Sequence, residues 1–153
     1  MAARRFRFRP RYRALALSAV GVGGTLGIVA IAALGAAFVP LGTGALGVVL
    51  GTAYMMSPAW RLEVVIDDDA IEVTKKFRVP WSEVVRVVAS PSTHSCYVDG
   101  GAPEKSLLVP GDGAPAPYDF ADRPALYDAI LAHVPADKVK IVDTLTNRGP
   151  DRS

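Results

Sequence analysis

The sequence predicts two transmembrane α-helices followed by a small α+β domain, in which a bent antiparallel sheet or partial barrel is capped by a C-terminal helix. Three observations carry this. Residues 14–60 hold no Asp, Glu, Lys, Arg or His. Short alternating β-type segments follow from Arg61. A single amphipathic helical pattern comes after them, opened by Asp122 and Pro124.

The uncharged run is 47 residues long. A bilayer core of about 30 Å takes about 20 apolar residues in one helix, so the run suits two spans joined by a tight turn. Only helices satisfy every backbone group within such a segment. The first helix is expected over residues 14–38, the break at Val39-Pro40-Leu41-Gly42, and the second helix over residues 43–57. Pro lacks a donor and Gly tolerates turn geometry, which places the break there. Tyr54 and Trp60 fall near the end of the second helix, where amphipathic rings favour the membrane interface. Gly23 with Gly27, and Gly47 with Gly51, form two small-xxx-small pairs. Either the pairs face each other and let the helix backbones approach, or they are ordinary glycines of membrane helices.

The net charge of +2 conceals an asymmetry. Arg4, Arg5, Arg7, Arg9, Arg11 and Arg13 stand without an acid among them, leaving 11 basic and 15 acidic residues in the rest of the chain. Residues 1–13 are therefore expected as a basic cytoplasmic segment that sets topology and meets an anionic leaflet. Phe6, Phe8 and Tyr12 interleave with the arginines and suit the interface. Because this basic stretch abuts an apolar span, the bilayer and not nucleic acid is its expected partner. The positive-inside rule then puts both termini in the cytoplasm, at the inner membrane. A signal peptide begins similarly, but the first apolar run exceeds an ordinary h-region and a second run follows at once. One cysteine, Cys96, gives no internal disulfide.

The domain is expected over residues 61–142, with a polar tail over 143–153. Residues 61–66 and 70–74 read as strands around an Asp67-Asp68-Asp69 turn. Residues 77–81 form a third strand limited by Pro80. Val84, Val85, Val87 and Val88 make a β-branched run, residues 95–98 and 105–109 two further strands, and 110–117 a Gly/Pro-rich loop. Asp122 is the expected helix cap, and Leu126, Tyr127, Ile130, Leu131 and Val134 share one face. Residues 139–142 are a short β-like piece.

With these segments in view, the soluble part resembles the bacterial PH-like domains that follow short membrane hairpins. The resemblance rests on the acidic-turn hairpin 64–74, on Val79-Pro80-Trp81-Ser82-Glu83-Val84, and on the late helix over 124–134. It implies a bent antiparallel sheet of about seven strands capped by a helix, where about six strands are countable. It implies no enzyme activity and no fixed ligand.

Catalytic groups are few. His94, Ser95, Cys96 and Asp99 are neighbours in sequence, but a working Cys–His pair is assembled by the fold and not by adjacency. His133 is expected on the helix surface and Trp81 in the core. No metal-ligand spacing, phosphate loop or dinucleotide fingerprint occurs, and no cofactor is expected. Asp67-Asp68-Asp69 reads as a solvated turn. Lys75, Lys76 and Arg78 invite a lipid-headgroup contact, against the plainer reading of a solvated face. The expected function is a non-enzymatic, membrane-anchored interaction module for a protein partner. The alternatives are headgroup binding by the domain and, more remotely, a membrane-associated thiol enzyme.

Overall fold

The computed structural model describes residues 2–33, 35 and 37–145. The chain divides into two compact units: Pro10–Trp60, and Met1–Arg9 together with Arg61–Ser153.

The first unit is a helical hairpin. Helix α1 runs Arg13–Ala33 and helix α2 Phe38–Met55. At about 1.5 Å per residue they are roughly 30 Å long. Both are long and apolar enough to cross a membrane. The break precedes the expected Val39–Gly42 position. Pro40 lies inside the first turn of α2, where its missing N–H has no intrahelical acceptor to lose. The chain reverses around Gly35, whose φ of +62° is left-handed and costs a residue without Cβ little.

The second unit is β-rich and built on two sheets. Strands β1 (Arg4–Pro10), β2 (Glu63–Ile66), β3 (Ala70–Val73), β4 (Phe77–Pro80) and β8 (Tyr118–Phe120) form one sheet, ordered β4-β3-β2-β1-β8. Strands β5 (Arg86–Ser90), β6 (Ser95–Asp99), β7 (Leu107–Val109) and β9 (Val139–Ile141) form the other, ordered β7-β6-β5-β9. Its β5–β9 pair is parallel, while β5–β6 and β6–β7 are antiparallel. Helix α3 runs Arg123–His133. The Asp122 carboxylate caps it by accepting from the Ala125 N–H at 3.3 Å, and Pro124 occupies its first turn.

Strand β1 corrects the sequence-based expectation. Residues 4–10 are not a free basic tail. They lie between β2 and β8, with Arg5 opposite Val65, Phe6 opposite Val64 and Arg7 opposite Glu63. The Arg-Phe-Arg-Phe-Arg alternation turns the phenylalanines to one face and Arg5, Arg7 and Arg9 to the other. Phe6 is buried in the domain core rather than dipping into a lipid interface, and Phe8 packs against that core. Its ring lies 4.6 Å from Phe120 and 5.2 Å from Tyr118.

The hairpin is therefore an insertion in the connection between two neighbouring antiparallel strands. The chain leaves the β-rich unit after Arg9 and re-enters it at Arg61. Strand β8 follows the expected 110–117 loop and is only three residues long, too short to carry a periodic signal in the sequence. Nine strands result among the described residues, against about six countable in the sequence.

One core joins both sheets and α3. Val64, Ile66, Ile71, Val73 and Val79 come from the first sheet, Val87, Ala89, Cys96, Val98 and Val109 from the second, and Leu126 and Ile130 from the helix. The expected polar tail at 143–153 lies outside the described residues beyond position 145. Within it, the Asp143 carbonyl accepts from the Ser90 hydroxyl at 2.7 Å and the Ser92 hydroxyl at 2.8 Å.

Candidate functional site

The glycines of the hairpin are where its helices meet. A Cβ on Gly23 would lie 2.6 Å from the Gly44 carbonyl oxygen, and one on Gly44 would lie 2.5 Å from the Gly23 oxygen. Gly47 and Gly51 approach the carbonyl oxygens of Ala19 and Ala16 in the same way, at 3.1 and 2.7 Å. Close backbone approach of this kind excludes any side chain and maximises dispersion contact. Of the four expected glycines, Gly27 differs: a Cβ there would meet open space, and it contributes only backbone against Gly44. Gly44, which the pair pattern omitted, is the tightest point of the contact. The outward faces carry Leu15, Leu17, Val22, Ile28, Leu46, Val49 and Leu50, all exposed.

At the open end of the hairpin three aromatic residues gather. The Tyr54 hydroxyl accepts from the Tyr12 backbone N–H at 3.0 Å. The Trp60 indole donates to the Tyr54 carbonyl at 2.6 Å, and its ring meets Tyr54 edge-on at 5.2 Å. Tyr12 precedes α1 and Tyr54 lies in the last turn of α2, so this clasp ties the two ends of the hairpin together. Arg11 and Arg13 belong to the same stretch.

The arginines of β1 have strand neighbours as partners. Arg7 meets Glu63 at 2.9 Å and Arg5 meets the same carboxylate at 3.6 Å, while Arg9 lies 3.5 Å from Asp119. The Arg4 guanidinium sits 5.4 Å from the Phe6 ring centroid. Asp119 is buried and also shared with Arg123, which reaches Asp112 at 2.9 Å and the Pro110 carbonyl at 3.3 Å. This network joins β1, β8 and α3, and sequence spacing gave no sign of it.

Lys75, Lys76 and Arg78 separate into two kinds. Arg78 binds Asp67 at 3.0 Å and Glu72 at 3.1 Å, across β3 and onto the acidic turn. It is a sheet cross-link engaged by two carboxylates. Lys75 and Lys76 form the exposed β3–β4 turn, Lys75 with a left-handed φ of 63°. Neither makes an ion pair among the described residues. The Asp67-Asp68-Asp69 turn is self-organised: the Asp67 carboxylate accepts from the N–H groups of Asp69 and Ala70 at 3.0 and 2.7 Å. Partial burial works against its ionisation, but these two N–H groups and the Arg78 guanidinium outweigh that and hold its carboxyl below the usual range.

The thiol is not poised for chemistry. Cys96 is fully buried, and burial pushes its pKa up to about 12. The His94 ring packs edge-on against Tyr127 at 5.7 Å. His133 is half-buried, not a plain surface residue. It stacks on Trp81 with centroids 5.1 Å apart, and its Nδ1 lies 2.8 Å from the Ala129 carbonyl. Trp81 is buried, and its indole donates to the Asp67 carbonyl at 2.9 Å.

Comparison with known protein families, with curated proteins and with solved structures gave no match.

Proposed function

We propose that this protein is a membrane-anchored, non-enzymatic interaction module, in which a two-span hairpin holds a PH-like domain at the cytoplasmic face of the inner membrane for protein partners. The observation that carries the anchoring is the hairpin itself. Its helices pack through glycine and alanine backbones and turn exposed aliphatic side chains outward on every other side. Such faces are costly in water and suit hydrocarbon.

The strand order supports an even number of crossings. β1 precedes the hairpin, β2 follows it, and the two are paired in one sheet, so both must lie on one side of any bilayer. The arginines before α1 favour the cytoplasm as that side. Support for a PH-like fold comes from antiparallel sheets over one core with a late helix against it. The parallel β5–β9 pair lies outside that description. A non-enzymatic role is favoured by the burial of Cys96 and by the engagement of His94 and His133 in packing. Protein partners suit the sheet edge at β9, the outermost strand of the second sheet among the described residues, where Ile141 is exposed.

Compartment-sensitive reporters fused separately at each end test the topology, alongside alkaline extraction of membranes. Cytoplasmic signals at both ends, with the chain resistant to extraction, are expected. An exported C-terminus, or release of the chain into the soluble fraction, overturns the proposal.

A further inference from the structure

The first sheet is electrically polar along its strands, and its basic end is the end where the chain departs to the hairpin. Strand register fixes this. β1 runs from Arg4, opposite Ile66, towards Arg7, opposite Glu63, and out through Arg9. β2 begins just after Arg61 and runs the opposite way. β3 returns to Val73, opposite Val64, and β4 starts at Phe77, opposite Val73. The β3–β4 turn with Lys75 and Lys76 therefore lies at the same end as Arg7, Arg9 and Arg61. The Asp67-Asp68-Asp69 turn, between Ile66 and Ala70, lies at the other.

The proximal end carries six cations, Arg7, Arg9, Arg61, Lys75, Lys76 and Arg123, against three carboxylates, Glu63, Asp119 and Asp112. The short turn Pro103–Lys105 beside β4 adds one acid and one base, Glu104 and Lys105, and leaves the surplus unchanged. The distal end carries three aspartates against Arg4, and the mid-strand pair Glu72 and Arg78 adds one acid and one base beside them. Three residues, 10–12, separate Arg9 from the start of α1. A bilayer holding the hairpin is thus tethered by a short chain to the basic end of the sheet.

We infer that this end of the sheet is a docking surface for the anionic phospholipid headgroups of the same membrane. The inference rests on the anchoring proposed above and adds a second contact to it. Lys75 and Lys76 are exposed in the β3–β4 turn, and no carboxylate among the described residues engages them. The surface is a spread of charge and not a pocket, so it responds to the charge density of the leaflet and weakens with salt. Arg78, held by Asp67 and Glu72, takes no part.

Amine-reactive footprinting of the full chain in lipid nanodiscs tests this. Discs of phosphatidylcholine are compared with discs of mixed phosphatidylcholine and phosphatidylglycerol. Labelling of Lys75 and Lys76 is expected to fall about fivefold in the anionic discs, the factor carried by one favourable charge–surface contact. High salt, which shortens the screening length from about 10 Å to about 3 Å, should restore it. Lys138 is the internal control, since its ammonium donates to the carbonyls of Val84 and Ser82 beyond the distal end of β4. The double variant Lys75→Glu, Arg61→Glu should lose the protection of Lys76 with Lys138 labelling unchanged. Equal labelling in both discs, with the chain still disc-bound, overturns the docking surface alone. A chain that does not remain in the discs overturns the anchoring, and the docking surface with it.

Discussion

If β1 belongs to the domain, the segment after the hairpin is not a complete folding unit. The sharpest test removes the hairpin in two ways. In one variant the chain begins at Leu62, so β1 is lost. In the other, residues 9–61 are replaced by Asn-Gly, so β1 is joined directly to β2. The Phe8 N–H donates to the Leu62 carbonyl at 3.3 Å, which makes these two a hydrogen-bonded pair. Such a pair is the one that a two-residue Asn-Gly turn closes. The loss on removing β1 follows from what it buries. Phe6 is buried, and full burial of a phenylalanine contributes about 2–3 kcal/mol. Phe8, packed on Phe120 and Tyr118, adds a further fraction of that. Strands β2 and β8 also lose their shared neighbour, leaving two unpaired edges within the sheet. The sum is roughly 5 kcal/mol, comparable with the whole stability of an ordinary domain. Urea unfolding followed by tryptophan fluorescence should give a cooperative transition for the joined variant and none for the truncated one. Equal, cooperative transitions in both would refute the assignment of β1 to the core.

Three further outcomes follow from single residues. Gly44→Val sets a Cβ against the Gly23 carbonyl and should cost about 1–3 kcal/mol of hairpin packing; Gly21→Ala, facing open space, should be silent, both read from the yield of an engineered α1–α2 disulfide. Asp67 has a lowered folded pKa, so its contribution is present above the unfolded value near 3.9 and lost as pH falls through the folded one. Asp67→Asn should therefore remove about 1 kcal/mol at neutral pH and flatten the acid limb of a stability–pH curve below about pH 4. Cys96 should resist iodoacetamide in the folded protein at pH 8 and react on unfolding, because burial both blocks access and keeps the thiol protonated; stoichiometric labelling of the native chain would contradict its place in the core.

Much of this molecule was legible in the sequence because the deciding signals are local. A 47-residue uncharged run needs no partner to be read as apolar helix. The Asp122 cap and Pro124 announce α3 from adjacent positions, and the alternation around the acidic turn fixes β2 and β3. Where two local signals competed, the stronger masked the weaker. The alternation in residues 5–9 is as regular as that of any strand here. Six arginines beside an apolar span gave a complete electrostatic account without it.

The tertiary structure decided what depends on pairing over distance. Arg7 meets Glu63 from 56 positions away, across the entire hairpin, and no local pattern specifies that register. The same holds for Asp119, whose role as a buried bridge between Arg9 and Arg123 exists only once β8 lies beside β1. Gly44 rather than Gly27 is the tight point between the helices because the rotation of each helix about its axis is set by the packed pair. Lys75, Lys76 and Arg78, three neighbours in sequence, part company in the fold for the simplest reason: a strand alternates its side chains, and a turn does not. Arg78 stands on the sheet among carboxylates, and the lysines stand at its end.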